Sequence, residues 1–126
     1  MKSVTTLAAL ALVASLGFAA TPAMACGGCN DAPEYIDTWD VIYGNESHYY
    51  TVHASAGETM YVDLYGDGNA DLDVIVTDER GRVVAEGASY ASWEEIDWVA
   101  RRAGVYTIEV INIESRGCSE YDLSVY

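Results

Sequence analysis

Strict alternation of apolar and polar residues is the feature that most limits what this chain can fold into. After about residue 35, apolar residues recur at every second position, and no window shows the spacing of an amphipathic helix. A strand places successive side chains on opposite faces, so each run predicts a strand with one buried face and one wet face. The clearest runs surround Val62, Val74, Ile108 and Leu123.

Turn residues separate these runs at intervals of about seven to twelve residues, which is typical of sandwich and barrel proteins. The sharpest turn is Asp78-Glu79-Arg80-Gly81, which predicts a hairpin. Residues 99–102 allow one helical turn. We therefore predict an all-β protein of about eight strands. The predicted strands are 35–43, 48–54, 58–65, 71–78, 82–87, 93–100, 105–113 and 119–126.

The first 25 residues have the three parts of a secretory signal peptide. Lys2 gives a positive start, an apolar run follows over residues 7–20, and Ala23-Met24-Ala25 is a small-x-small cleavage site. The apolar run is shorter than the roughly 20 residues needed to cross a bilayer. We expect an exported protein that is secreted, periplasmic or lipid-anchored, with residues 26–34 as a flexible arm and residues 35–126 as the folded domain.

The charge balance excludes two classes of partner. The chain has 6 Lys+Arg against 20 Asp+Glu, for a formal net charge of −14. Nucleic acids and anionic membrane surfaces are bound by clustered Lys and Arg, so we expect neither as a partner. A hydrophobic share of 51% is too high for a disordered acidic tail.

Three cysteines in an exported protein leave an odd count that needs an explanation. Cys26 directly follows the predicted cleavage site, so lipid attachment at Cys26 and simple secretion are alternatives. Acylation of Cys26 would be the only membrane contact, and it would leave Cys29 and Cys118 to form a disulfide. A third alternative is thiol or zinc chemistry at Cys26-Gly-Gly-Cys29, although this motif lacks the strand and helix that activate such pairs.

Oxygen-bearing side chains alternate along one predicted loop and into the strand that follows. Asp67, Asn69, Asp71 and Asp73 resemble the start of a calcium-binding loop, and calcium is the candidate cofactor. Leu72 stands where an EF-hand requires glycine for its turn. The alternative is a polar loop whose carboxylates accept hydrogen bonds from nearby backbone N–H groups.

Ten tyrosines and three tryptophans make an aromatic surface a candidate binding site. Tyr61 and Tyr65 share the strand face opposite to the apolar core positions, so we predict that they bind ligand by stacking on sugar rings or covering an extended peptide. The alternative is that these rings only fill or cover the sandwich. Trp93 and Trp98 differ in strand parity, so one of them belongs to the core. A further set shares one face of the first strand: Tyr35, Trp39 and Tyr43.

Catalytic patterns are weak in this sequence. His53 and Ser55 share a strand face, but no His-orienting Asp lies at a diagnostic spacing. Glu94 and Glu95 are neighbours in a strand and therefore point to opposite faces, which is poor geometry for acid–base work. We expect a protein that is not an enzyme.

Several short motifs occur in a fixed order between residues 57 and 126. They are Gly57, Asp71-Leu72-Asp73-Val74, Gly81, Ala103-Gly104-Val105-Tyr106 and Tyr121-Asp122-Leu123-Ser124-Val125. In this order they resemble the bacterial pre-peptidase C-terminal domain family. The resemblance implies a jelly-roll-like antiparallel β-sandwich with an accessory role, and it does not imply protease activity.

The sequence thus predicts an exported, non-catalytic module that binds a polymer, a peptide or a protein partner at the cell envelope or outside the cell. One alternative is a structural envelope lipoprotein anchored through Cys26. Another is a thiol protein that uses Cys26 and Cys29. A binding role predicts a contiguous exposed Tyr/Trp face, whereas a structural role predicts a uniformly acidic surface.

Overall fold

A computed structural model describes residues 32–126 of the chain, and this part is built entirely of strands and their connections. The described part contains no helix long and apolar enough to cross a membrane. Each strand end lies within about one residue of its predicted position, which confirms the all-β prediction. The strands are β1 (Ile36–Tyr43), β2 (Ser47–Ala54), β3 (Thr59–Gly66), β4 (Leu72–Thr77), β5 (Val83–Gly87), β6 (Trp93–Val99), β7 (Gly104–Asn112) and β8 (Cys118–Val125).

The strands form two four-stranded antiparallel sheets. The first sheet has the order β1-β8-β3-β6, and the second sheet has the order β2-β7-β4-β5. Apart from the β4–β5 hairpin, each successive strand crosses to the other sheet. This order is that of an eight-stranded jelly roll, so the predicted jelly-roll-like sandwich is confirmed.

The core lies between the two sheets and draws alternate residues from both. Burial of these apolar side chains is the main favourable contribution to folding. Trp98 joins the core while Trp93 is exposed, as their opposite strand parity predicted. Fully buried aliphatic side chains from the first sheet are Ile42, Met60, Val62, Leu64, Leu123 and Val125, and those from the second are Val52, Ala54, Leu72, Val74, Val76, Ile108 and Val110.

The β4–β5 connection is the tight turn that the sequence predicted. The N–H of Gly81 donates to the carbonyl of Asp78 at 2.8 Å, and the N–H of Asp78 donates to the carbonyl of Arg82 at 2.9 Å. Gly81 has φ 73°, a left-handed conformation that glycine adopts without steric cost. The helical turn allowed at residues 99–102 is absent, because β6 continues to Val99 and residues 101–103 form a bend before β7.

Candidate binding surface on the first sheet

One row of aromatic side chains crosses the outward face of the first sheet. Trp39 on β1 and Tyr65 on β3 both pair with Asp122 on β8, and Tyr65 also pairs with Trp93 on β6. The row therefore spans all four strands. Its three aromatic side chains are 45–58% exposed.

A second aromatic row lies four residues further along the strands, roughly 13 Å away. Tyr61 on β3 and Tyr126 after β8 exchange two backbone hydrogen bonds of 2.7 and 3.1 Å. Their rings stack with centroids 5.5 Å apart at an angle of 24°. Tyr35 immediately precedes β1, whose first residue pairs with Val125, so it extends the row at the sheet's edge. All three tyrosines are exposed.

Carboxylates occupy the line between the two aromatic rows. Asp63 pairs with both Ser124 and Glu95, and Asp37 pairs with Ser124 from the other side. The hydroxyl of Tyr126 donates to Asp63 Oδ2 at 3.0 Å. This acceptor, together with the negative charge of Asp63, raises the pKa of Tyr126.

A second tyrosine–carboxylate bond on this surface joins Tyr65 to Glu95, whose Oε1 accepts from the phenolic hydroxyl. This bond raises the pKa of Tyr65 to about 12. Both rings are therefore tethered by their hydroxyl groups, which limits the rotamer freedom that binding would otherwise have to remove. We call this surface the aromatic face and define it by Tyr35, Trp39, Tyr61, Tyr65, Trp93 and Tyr126 with Asp37, Asp63 and Glu95.

The aromatic face contains both tyrosines that the sequence singled out. Tyr61 and Tyr65 lie exposed on one outward face, as the alternation predicted. Their role in binding a ligand stays a prediction. The sequence did not predict that Trp39 and Trp93 lie on the same face beside them. That arrangement depends on the order of the strands in the sheet, whereas the alternation of residues shows only which face of its own strand a side chain occupies.

The four predicted calcium ligands form two separate pairs. Asp67 Oδ1 accepts from Ser119 Oγ at 2.7 Å and from the N–H of Asn69 at 3.0 Å, and its Oδ2 accepts from Asn69 Nδ2 at 2.7 Å. These donors, Ser119 foremost, hold the pKa of Asp67 at about 2. The backbone bond from Asn69 is the kind that the polar-loop alternative predicted.

Asp71 and Asp73 form the second pair, at the start of β4. Burial raises the pKa of Asp73, and the adjacent charge of Asp71 raises it further. Asp71 Oδ1 is buried and has no hydrogen-bond partner among residues 32–126. In that same part of the chain, no group of three or more His, Cys, Asp or Glu residues is placed to hold a metal ion. Calcium binding at these residues stays a prediction.

The cysteine predictions depend largely on residues outside the described part of the chain. Cys118 is exposed at the start of β8 and pairs across the sheet with Tyr43. Cys26 and Cys29 lie outside residues 32–126, as does the predicted signal peptide. The lipid anchor, the Cys29–Cys118 disulfide and the Cys26–Cys29 thiol pair therefore stay predictions.

A buried hydroxyl network between the sheets was not apparent from the sequence. Tyr121 is 1% exposed, and its hydroxyl lies 2.8 Å from His48 Nδ1 and 2.5 Å from the hydroxyl of Tyr50. Asp40 Oδ2 lies 3.5 Å from the same nitrogen of His48. Burial raises the pKa of Tyr121, so its hydroxyl remains protonated and available as a donor. The network satisfies buried polar groups between β1, β2 and β8 and so has a structural role.

The adjacent acids Glu94 and Glu95 point to opposite faces of β6, as predicted. Glu94 is 7% exposed and accepts a hydrogen bond from the N–H of Ser89 at 2.6 Å. Glu95 faces outward on the aromatic face. Each carboxylate thus has its own environment and partners.

Comparison with solved structures supports the fold. The pre-peptidase C-terminal domain of a collagenase from Bacillus anthracis matches with a TM-score of 0.59 at 18% identity, covering 72% of this chain and 90% of that one. A periplasmic inhibitor of g-type lysozyme from Aeromonas hydrophila matches with a TM-score of 0.54 at 14% identity, covering 75% of this chain and 87% of that one. No protein-family model and no curated protein matches the sequence. The chain has the fold of a pre-peptidase C-terminal domain, so the resemblance seen in the sequence is confirmed at the level of the fold.

Proposed function

We propose that this protein is an exported, non-catalytic binding module whose aromatic face docks on a basic protein surface. The observation that carries the proposal is the grouping of six exposed aromatic side chains around a line of carboxylates on one outward face. Tryptophan and tyrosine dominate the binding energy of protein interfaces. The formal net charge of −14 adds long-range attraction for a basic partner.

The arrangement of charges favours a protein partner over an anionic polymer. Asp37, Asp63 and Glu95 lie between the aromatic rows, so any ligand that covers both rows must also cover these carboxylates. An anionic chain would be repelled there, whereas Lys and Arg side chains would be attracted. One solved structure with this fold is an inhibitor of another protein, which supports a protein partner for a module of this kind.

A neutral polysaccharide is the second candidate ligand. Two aromatic rows separated by roughly 13 Å present ring faces for stacking on sugars, and the carboxylates between them can accept hydrogen bonds from hydroxyl groups. This candidate makes a different prediction about salt. Binding to a basic protein weakens as ionic strength rises, whereas stacking on a neutral sugar does not.

The test compares the two outward faces of the sandwich. Binding of the exported protein is measured against a panel of basic secreted proteins that includes a g-type lysozyme, and against a neutral glucan. Trp39→Ala/Trp93→Ala removes two of the aromatic anchors, and Tyr49→Ala removes an exposed ring from the second sheet as the matched control. We expect the double variant to lose about a hundredfold in affinity for its basic partner, and the control to bind like the wild type.

Two outcomes would overturn the basic-partner proposal. An equal loss in the Tyr49→Ala control would show that binding does not depend on the aromatic face. Salt-independent binding to the glucan alone, lost in the tryptophan variant, would establish the polysaccharide candidate instead.

We also propose calcium as an additional ligand of the loop that runs from Asp67 into β4. A cation beside Asp71 would provide a partner for its buried Oδ1 and would relieve the repulsion between Asp71 and Asp73. Millimolar calcium should then raise the melting temperature of the wild type but not of Asp71→Asn. Equal melting temperatures with and without calcium would contradict this proposal and leave the aromatic face unaffected.

The lipoprotein and thiol alternatives are decided by mass spectrometry of the exported, alkylated protein. An acyl group on Cys26 would support a membrane anchor, and a Cys29–Cys118 bridge would then tie the arm to β8. A Cys26–Cys29 bridge that reducing agents open readily would support thiol chemistry.

A further inference from the structure

Most of the positive charge of this acidic protein is collected in one groove at an end of the sandwich. The groove has a volume of about 490 Å³ and lies between the β4–β5 turn and the β6–β7 connection. The chain has only 6 Lys+Arg residues. Four of them line this groove: Arg80, Arg82, Arg101 and Arg102.

One of the four arginines is neutralised within the groove. Asp78 Oδ2 accepts from Arg82 Nε at 2.8 Å and from Arg82 Nη2 at 2.5 Å. The guanidinium holds the pKa of Asp78 at about 2. A second carboxylate of the lining, that of Glu79, accepts from the N–H of Val105 at 2.9 Å. Asp97 is the third acidic residue of the lining.

The other three arginines have no ion-pair partner in the described part of the chain. Within residues 32–126, no carboxylate lies within 4.0 Å of a nitrogen of Arg80, Arg101 or Arg102. The chain contains 20 acidic residues, so partners for exposed guanidinium groups are abundant on its surface. Three unpaired arginines beside one groove therefore leave a local excess of hydrogen-bond donors that matches an anion.

The rest of the lining is apolar. Val83 and Val99 are each 55% exposed, and Val84 is also exposed. Trp98 forms part of the same lining, is itself 4% exposed, and has a buried Nε1 donor without a hydrogen-bond partner in the described part of the chain. Exposed valines beside unpaired guanidinium groups make a groove with one charged part and one apolar part.

We propose that this groove binds a small organic anion, namely a carboxylate or phosphate group carried on an apolar body. Guanidinium groups match the oxygens of both anions through parallel hydrogen bonds, and the valines would cover the apolar body. The volume lies within the range of about 300–1,000 Å³ that is usual for small-molecule sites. The groove shares no residue with the aromatic face, so this site is independent of the proposed docking function.

Tryptophan fluorescence can report on the groove selectively. The chain has three tryptophans, and two of them lie on the aromatic face. Trp39→Phe/Trp93→Phe therefore leaves Trp98 as the only indole. We expect its emission to change in a saturable way on titration with hexanoate or hexyl phosphate, and the tighter of the two identifies the anion. Hexanol, which lacks the charge, and inorganic phosphate, which lacks the apolar body, should bind about tenfold more weakly.

Arginine substitutions test whether the guanidinium groups hold the anion. Arg101→Gln/Arg102→Gln should weaken binding of the preferred anion by about tenfold or more. Arg116→Gln is the matched control, because Arg116 follows the other end of β7 and does not line the groove. Isothermal titration of the protein with its native tryptophans repeats the measurement without the reporter substitutions, and thermal unfolding verifies that each variant is folded.

Three results would overturn the proposal. Unchanged affinity in the Arg101→Gln/Arg102→Gln variant would show that these arginines do not hold the anion. Equal binding of hexanol would reduce the groove to an apolar surface. Absence of saturation with either anion at millimolar concentration, by fluorescence and by calorimetry, would exclude a small-anion site.

Discussion

The two outward faces of this sandwich cover the same core but present different chemistry. The first sheet exposes rows of aromatic rings with carboxylates between them. The second sheet presents a line of threonines, Thr51, Thr107 and Thr77, in register across β2, β7 and β4, and half-buried Ile75 lies two residues from Thr77. Outward positions contribute little to the core, so a strand can carry either set. The concentration of aromatic side chains on one face is therefore the feature on which the proposed binding role depends.

Both outward faces contain a tyrosine–glutamate hydrogen bond between neighbouring strands, so this kind of bond does not distinguish them. Tyr49 on β2 donates to Glu109 Oε1 on β7 at 2.8 Å, and Tyr65 on β3 donates to Glu95 on β6. A tyrosine–glutamate pair across two strands is thus a general way of stabilising a sheet surface here. The aromatic face differs in having several rings in register, and not in how any one ring is held.

The largest loss of stability is expected from substitutions in the core, to which both sheets contribute. Leu64→Ala in the first sheet and Leu72→Ala in the second each remove a fully buried side chain. We expect both to lower the free energy of unfolding by about 2–5 kcal/mol, because both open a cavity in the same core. Urea unfolding measures the two losses. A large loss for one and almost none for the other would show that the two sheets do not share a single core.

A smaller loss of stability should distinguish substitutions on one outward face from those on the other. Tyr126→Ala removes the ring that stacks on Tyr61 and the hydrogen bond to Asp63. We expect a loss of about 1 kcal/mol in the free energy of unfolding. Thr51→Ala on the second sheet is the matched exposed substitution, and we expect it to change stability by about 0.5 kcal/mol or less. Equal losses in urea unfolding would mean that the aromatic stack adds nothing to stability.

The smallest expected effect is on the stability of the fold at alkaline pH. The hydrogen bond to Glu95 raises the pKa of Tyr65 from 10.0 to about 12, so the folded chain holds this proton more tightly than the unfolded chain. The resulting stabilisation is complete below about pH 10 and is lost as the pH rises through about 12. Tyr65→Phe should remove this contribution to the loss of stability at alkaline pH.

Absorbance titration of the phenols checks the same point on both faces. A hydrogen bond to Glu109 also raises the pKa of Tyr49, but a hydrogen bond with Ser47 opposes it, whereas every contribution at Tyr65 raises the pKa. Tyr49→Phe should therefore remove a phenol that ionises at lower pH than the one removed by Tyr65→Phe. The reverse order of ionisation would contradict the hydrogen-bond pattern of the two faces.

The sequence predicted those parts of this structure that are encoded locally. Alternation and turn residues located the eight strands, alternation identified the buried faces of β3, β4, β7 and β8, and the parity of Trp93 and Trp98 placed one of them in the core. The aromatic face could be predicted only one strand at a time, since no local signal places Trp39 beside Asp122 or Trp93 beside Tyr65. The groove lined by Arg80, Arg82, Arg101 and Arg102 could not be predicted for the same reason. Its arginines come from two separate connections between strands, and only the jelly-roll strand order brings these connections together.

The pairing of the first strand with the last has a consequence for how this protein reaches its native state. β8 lies between β1 and β3, so the first sheet cannot close until residues Cys118–Val125 are available. Pairings between such distant segments carry a high loop-closure entropy and slow the folding of all-β domains. A chain delivered from its N-terminus would meanwhile hold β1 and β3 as unpaired edges that can associate with other chains. The arrival of β8, rather than collapse of the strands before it, is therefore the event that allows the first sheet to close.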